Sequence, residues 1–422
     1  MQKKGFCFIT GQTQRLIENH SKFIRHSSDG AKLVSSNDEN GYTYRGKFLD
    51  KTQACGISFE VSQKAHNALR WLIARQGYKS GDKDPQVYVS WAVSGKDIPE
   101  PLADVREEIY EEADLSELPD EESSKTTETT LDYSTDLGAA YANNLRKNMA
   151  GYFKLAKIDA TKSYEERLEQ YIKDYEAKLD PHEQIIIMGL DSATPGRMGI
   201  LYYRELLSHE FLERLKNWHS EFAWYQRHTQ EIPNDTGKKP KTKVIYPISS
   251  PIPRDIAKAA YGENVTDNLK KKVIERLMPC IVDGYPFPFD LVQSCVRKAT
   301  NRVAYANDEQ WLWEKNLGIT CALFKGYWAR YPTHEKRRFY TMALDRNYHA
   351  RDYLYGRLLA VAERIEEIAL SAAEENRSTN AARLMQRFAD HPAKNVVIDL
   401  QSVRSLYAAS ASVAHELFKQ PA

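Results

Sequence analysis

The chain has 422 residues, 42% apolar and 28% charged, with a net charge of +1, a length that suits roughly two to three domains. No run of about 18 apolar residues occurs, so no membrane-spanning helix is expected, and the opening Met1-Gln2-Lys3-Lys4-Gly5 lacks the apolar core of a signal peptide. The five cysteines (Cys7, Cys55, Cys280, Cys295 and Cys321) form no Cys-x-x-Cys pair, which suits reduced thiols in a cytoplasm and argues against a disulfide framework.

Residues 1–96 read as a mixed α/β part. Phe6-Cys7-Phe8-Ile9-Thr10-Gly11 predicts a strand ending in a turn. Residues 62–76 predict a helix with Ala65, Ala68, Leu69 and Leu72 near one face, and Val87, Val89 and Trp91 alternate with Tyr88 and Ser90 as a half-buried strand does. Residues 97–136 hold fifteen Asp and Glu against Arg106 and Lys125, a net of −13, so the rest of the chain carries +14 to reach the total of +1. This stretch reads as an acidic linker or disordered loop, serving as a solvated spacer or as a docking site for a basic partner. The basic remainder is the electrostatic footprint of a polyanion binder.

Residues 137–266 read as a central α+β part. Ser163-x-x-Glu166 is a capping-box pattern that predicts a helix start, with Tyr164, Leu168, Tyr171, Tyr175 and Leu179 as its apolar stripe. Ile185-Ile186-Ile187-Met188 predicts a strand, 191–198 a loop and 199–203 a second strand; Arg197 is the loop residue best suited to a ligand, and a turn-stabilising role accounts for it equally well. Phe211, Leu215, Trp218, Phe222 and Tyr225 predict one long amphipathic helix. The loop 235–243 is basic, offering Lys238, Lys239, Lys241 and Lys243 to a polyanion backbone or simply to solvent, and Pro247, Pro251 and Pro253 exclude helix around them.

Residues 267–422 read as a helical bundle. Leu354, Leu358, Val361, Ile365 and Ile368 repeat at the spacing of a bundle face. Between Lys270 and Arg357 sixteen Lys and Arg stand against nine Asp and Glu. They gather as Lys270, Lys271, Lys272 and Arg276, then Arg297, Lys298 and Arg302, then Lys336, Arg337 and Arg338 followed by Arg346, Arg351 and Arg357. Tyr305, Trp311, Trp313, Tyr327, Trp328, Tyr331, Tyr340 and Tyr348 lie among them. Phosphates need spaced cations and unpaired bases need flat π faces, and this segment offers both; solvated basic faces around a Trp/Tyr core are the alternative.

Motifs for catalysis are missing. The His-Glu pairs at His182, His209, His334 and His415 never continue to a second ligand His, and neither a Gly-x-Ser-x-Gly elbow nor a phosphate-binding P-loop occurs. No enzyme, metal or cofactor is expected. A nuclease with a dispersed metal site and a structural scaffold without nucleic-acid contact are the competing classes.

Several stretches resemble one family when taken together. Phe6-Cys-Phe-Ile-Thr-Gly11 and Gly30-Ala-Lys-Leu-Val-Ser-Ser-Asn37 resemble the Cys-x-x-Thr-Gly and Gly-Ala-x-x-Val-Ser-Phe-Asn pattern of the large subunit of type I-C CRISPR Cascade, with Ser36 where the family has Phe. Ile187-Met-Gly-Leu190 with Pro195-Gly-Arg-Met198 resembles its strand–loop–strand segment, and Asp352-Tyr-Leu-Tyr-Gly-Arg-Leu-Leu-Ala-Val-Ala-Glu-Arg-Ile365 its C-terminal helix. The resemblance implies a non-catalytic, cytoplasmic subunit of a crRNA-guided complex. Its partners would be the crRNA-bearing backbone and small subunits, double-stranded and displaced single-stranded target DNA, and a helicase-nuclease. It would support flanking-motif recognition and stabilise the R-loop, and its C-terminal part would be like the family's small subunit. The family usually carries a substantial region before the Cys-x-x-Thr-Gly stretch, whereas this chain begins almost at it, and after about His391 the pattern is no longer followed.

Overall fold

The computed structural model of the protein describes residues 4–35, 55–81, 85–110, 160–194, 196–232, 241–305 and 309–340, with 342, 348–349, 354, 370, 377–380 and 382 beyond them. It is α+β, as the patterning predicts: antiparallel sheets with helices between and after them. Two compact units are built from interleaved stretches of chain. The first contains Met1–Ala103, Asp174–Glu213 and Thr266–Met278, the second Asp104–Lys173, Arg214–Val265 and Pro279–Ala422.

In the first unit, β1 (Lys4–Phe6) and β2 (Thr13–Arg15) form a hairpin. Helix α1 (Phe59–Gln76) follows, starting earlier than its apolar stripe because Ser58 caps it, its hydroxyl accepting from Val61 N at 3.3 Å. A four-stranded antiparallel sheet runs in the order β3 (Tyr78–Lys79), β4 (Val87–Ala92), β5 (Gln184–Thr194), β6 (Arg197–Leu207). Alternation sets its faces. Val87 lies opposite Leu190 and Val89 opposite Met188, and these side chains close a core with Ile24, Ala31, Ile73 and Met198, against which Leu33, Leu69, Leu72 and Trp91 pack. Both strands of the β5–β6 hairpin run further than the sequence suggests. Pairing continues to Asp191↔Gly199 and Thr194↔Arg197 through two register shifts, so most of the expected loop is ladder.

In the second unit, α2 (Val105–Ile109) starts at an Asp104 cap. Helix α3 (Ala160–Glu176) begins before the expected Ser163, which sits inside it with its hydroxyl 3.4 Å from Arg167 Nε. Helix α4 (Ser208–Glu221) stops before Phe222. Tyr225 belongs instead to β7 (Trp224–Tyr225), which pairs with β10 (Ile248–Ser249), so the long amphipathic stripe is helix for most of its length and then strand. Between them β8 (His228–Ile232) and β9 (Lys241–Ile245) form a separate two-stranded ribbon. Pro253 opens α5 (Pro253–Tyr261) rather than excluding helix, because a first-turn proline forfeits no intrahelical bond. Helix α6 (Asp267–Val282) belongs to the first unit as far as Met278, and α7 (Phe289–Thr300) and α8 (Gln310–Ala329) follow in the second. Helix α8 packs against α5 and α7 and is buried along most of its length, from Trp313 through Phe324 to Trp328. Trp218, Phe222 and Phe287 stack beside one another. Of the expected helix over 351–375, Leu354 and Leu370 are described, both helical, the first exposed and the second buried; its other residues lie outside the described ones.

Candidate nucleic-acid interface

Cations of the second unit divide into two populations. One is consumed by the fold. Arg330 is buried, bonded to Glu221 and to the Cys280 carbonyl, with its guanidinium over the Trp218 and Phe222 rings. Lys325 Nζ donates to Ser220 O at 2.8 Å and so closes the C-terminal end of α4; burial pulls its pKa down to about 8. Lys315 pairs with Asp255 at 2.9 Å and Arg227 with Glu314 at 3.3 Å. Of the candidates from sequence, Arg302 lies 4.5 Å over the centroid of Trp313 and donates to Gln310 Oε1 at 3.3 Å, a packing role. Lys298 is half-buried, and desolvation lowers its pKa. Arg297 stands exposed on α7.

The other population follows α8. Residues 332–339 are all exposed and include His334, Lys336, Arg337 and Arg338 against Glu335. A short 3-10 turn, His334–Lys336, sets their spacing. Arg338 N donates to Trp328 O at 3.1 Å, and Arg337 Nε to Tyr331 O at 3.1 Å, so the segment is tied to the helix end. Aromatic rings run beneath it. Phe289 meets Tyr327 at 5.3 Å, Tyr327 meets Tyr331 edge-on at 5.7 Å, Tyr331 stacks on Trp328 at 5.1 Å and 9°, and Arg338 lies 5.3 Å over Trp328. The ladder is not sealed: Phe289 is 52% exposed, and Phe339, which belongs to neither core nor ladder, is 79% exposed. Trp313 and Trp328 are core, whereas Trp311 is exposed. Phe289 and Phe339 stand outside the aromatic set read from the sequence, which holds Tyr and Trp alone, although Phe339 directly follows Arg338 and precedes Tyr340.

The first unit carries the remaining described candidates. Lys270 pairs with Asp267 at 3.1 Å and Lys271 lies 3.5 Å from Asp191, while Lys272 is exposed. Asp191 also accepts from Arg25 Nη1 at 3.3 Å and Gln86 Nε2 at 3.2 Å. Arg25 is itself buried, bonded to Asp29 through Nε (2.9 Å) and Nη2 (3.2 Å) and to Pro85 O at 2.9 Å. Asp191 therefore ties Lys271 of α6 to the β5–β6 hairpin, which also carries the exposed Arg197. Lys238, Lys239, Arg346 and Arg351 lie outside the described residues, as does the side chain of Lys241, whose backbone pairs with Ile232 in the β8–β9 ribbon.

Among the described residues no three His, Cys, Asp or Glu side chains are grouped to hold a metal ion, and no helix is long and apolar enough to cross a membrane. The five cysteines are free thiols. Residues 1–409 match the family model described as CRISPR-associated protein (Cas_Csd1), a match that continues past His391. No curated protein matches the chain.

Proposed function

The chain belongs to the Cas_Csd1 family of CRISPR-associated proteins, and on that premise we propose that it is the non-catalytic large subunit of a crRNA-guided type I-C Cascade complex, holding target DNA by its backbone. In this reading the surface after α8 receives the displaced single strand. Its exposed Lys336, Arg337 and Arg338 meet phosphates while Phe289 and Phe339 offer faces to bases. Arg197 and Lys272 of the first unit serve flanking duplex, and the complex supplies the crRNA, the backbone and small subunits, and the site for the helicase-nuclease. Pairing with the guide reads sequence, leaving the protein to hold shape and charge. Free thiols suit a cytoplasmic setting.

The observation that carries the reading is the exposed run 332–339, where cations and a nearly fully exposed Phe339 share one short segment at the end of a buried helix. Cations for phosphates and an open π face for an unpaired base lie side by side there. The internal pairing of Arg330, Lys315 and Arg227 favours a second reading, a scaffold whose residual basic face meets acidic protein. Co-expression with the other complex subunits and a CRISPR array tests both. Copurification with crRNA and salt-dependent DNA binding are expected; a chain that enters the assembly but adds nothing to its DNA affinity is a scaffold. Metal-dependent cleavage by the purified chain would identify a nuclease instead.

A further inference from the structure

The β1–β2 hairpin puts two cations side by side. Lys4 lies directly opposite Arg15, and Phe6 opposite Thr13. Cys7 N donates to Gln12 O at 2.9 Å, which fixes the alternation of the ladder. Positions 5 and 14 therefore face each other through hydrogen bonds, and 4 and 15 form a non-hydrogen-bonded pair, whose side chains lie closer. Leu16 bridges Ser58 in the antiparallel sense, and Ile17 N donates to Ile57 O at 3.0 Å. The same register sets Arg15 opposite Phe59, and the Arg15 guanidinium lies 4.5 Å over the centroid of that ring. Side chains alternate along extended backbone. Cys7 is buried and Gly5 lies against Leu16, while Lys4, Phe6 and Phe8 turn to the outer face, the two rings 6.1 Å apart.

This face is open. Phe6 is 57% exposed, Phe8 54% and Phe59 40%. Lys4 and Arg15 are exposed, and among the described residues neither makes an ion pair. The acid beside Phe59, Glu60, is held by Lys64 at 2.7 Å. Like charges opposite one another on paired strands repel, and a bound polyanion relieves that repulsion. The frame beneath is fixed. Phe8 N donates to Gly56 O at 2.8 Å, Gly11 N to Cys7 O at 2.9 Å and Ser58 N to the buried Cys7 Sγ at 3.3 Å. A β-carbon at position 56 would stand 2.5 Å from Phe6 O. Cations for phosphates beside flat rings for bases are what a single strand requires, whereas a duplex keeps its bases stacked away from the rings. An apolar protein segment would cover the rings and leave the two adjacent positive charges unanswered.

We infer that the outer face of the β1–β2 hairpin binds single-stranded DNA, Lys4 and Arg15 meeting its phosphates while Phe6 and Phe8 stack on its bases. The inference rests on the DNA-holding reading above and adds to it a single-strand site in the first unit. The test is fluorescence anisotropy of the full chain with a fluorescein-labelled DNA single strand and its duplex, across a range of salt. Entry of each variant into the co-expressed complex is followed alongside. Lys4→Gln is expected to weaken single-strand binding about two- to fivefold and to reduce the slope of log K against log salt by about 0.7, the loss of one phosphate contact. Adding Arg15→Gln brings the reduction to about 1.4. Phe6→Ala with Phe8→Ala is expected to weaken single-strand binding at least about fivefold, the low end of one lost base stack, with the slope and duplex binding unchanged. Phe6→Tyr with Phe8→Tyr keeps the π faces and retains the affinity. Phe6→Leu with Phe8→Leu keeps an apolar surface and loses as much as the alanine pair, a pattern that a merely structural role does not produce. Parent-like single-strand affinity in either Lys4→Gln or the alanine pair overturns the site, as does a leucine pair that binds like the parent. Equal losses on duplex and single strand from the alanine pair overturn it as well. Variants that bind DNA normally but no longer enter the complex would make the face a protein interface, again overturning it. If Arg337→Glu with Arg338→Glu weakens DNA binding while the hairpin variants do not, the hairpin site fails and the DNA-holding reading stands; a parent chain that binds no DNA, free or in its complex, removes both.

Discussion

The ring of Tyr88 lies across Gly189 on the neighbouring strand: a β-carbon at position 189 would sit 2.6 Å from Tyr88 Cε1 and 3.2 Å from Tyr202 Cβ. Tyr88 is 1% exposed and its hydroxyl donates to Gln86 Oε1 at 3.3 Å, so the ring cannot swing aside without breaking that bond. Burial raises its pKa, first among its causes, which keeps the hydroxyl protonated and donating. Gly189→Ala is expected to destabilise the protein by about 1–3 kcal/mol, the usual cost of overpacking a filled core, read as a lower urea midpoint. An unchanged midpoint would mean that the sheet relaxes around the methyl group.

Arg25 presents a different kind of vulnerability. It joins Asp29, Asp191 and the Pro85 carbonyl, and its side chain is 2% exposed. Burial alone pushes the Asp29 carboxyl upward, but hydrogen bonds from Arg25 and Ala31 N outweigh it and hold the pKa below the ordinary 3.8. Arg25→Ala leaves the Asp29 carboxylate without its cation and Asp191 with Lys271 alone, and is expected to cost about 3–5 kcal/mol. Arg25→Met with Asp29→Leu removes charge from both sides and is expected to cost much less, as double-replaced buried pairs do. Chemical denaturation of the three proteins measures the difference. The Asp29 contribution is present above pH 3.8 and is lost as the pH falls through its depressed value.

How far these features could be read in advance follows the range over which each is determined. Ile185-Ile186-Ile187-Met188 announces β5 because the run is locally β-prone. Asp191, Ser192 and Thr194 look like loop, and they become strand only because β6 pairs with them. An isolated parallel bridge between Lys32 and Arg197 leaves no periodic trace, being one residue wide and 165 positions apart. Charge clustering located Arg337 and Arg338 correctly as a surface group, since consecutive cations cannot all be buried. The same criterion could not separate Arg297 from Arg302, whose guanidinium is taken up by the ring of a buried Trp313. That distinction depends on which helices pack, and α8 meets α7 only in the folded unit.

Acid sensitivity follows from histidines buried in the neutral state. His219 is 4% exposed, its Nδ1 lies 2.7 Å from Ser250 Oγ, and burial pulls its pKa from 6.5 to about 3. His20 and His228 are each lowered to about 4, burial again leading. The folded state therefore binds fewer protons than the unfolded chain between these values and 6.5. Stability is full above pH 6.5 and falls as the pH drops below it. Melting temperatures taken from pH 7 to about pH 4 are expected to decline, and His219→Gln, whose amide can still bond Ser250, is expected to decline less steeply. Parallel pH profiles for the two proteins would show that His219 takes up its proton without strain on the fold.

The surface after α8 separates the two components of single-strand binding. Arg337 and Arg338 carry charge but stay tied to Tyr331 and Trp328, whereas Phe339 projects at 79% exposure and pairs with no ring among the described residues. Phosphate contacts act on every polyanion and scale with salt; stacking requires an unpaired base and is nearly salt-independent. Arg337→Glu with Arg338→Glu is expected to weaken binding of duplex and single strand alike and to flatten both salt dependences. Phe339→Ala is expected to cost about 1–3 kcal/mol on single-stranded DNA, leave duplex binding untouched and preserve the salt slope. Both can be followed by anisotropy with the same oligonucleotides; Arg338 lies over the buried Trp328 ring, so melting temperatures of the variants are measured alongside. Equal losses on duplex and single strand from Phe339→Ala would show that the ring supports the segment and does not stack on a base, and the displaced strand would then need another seat.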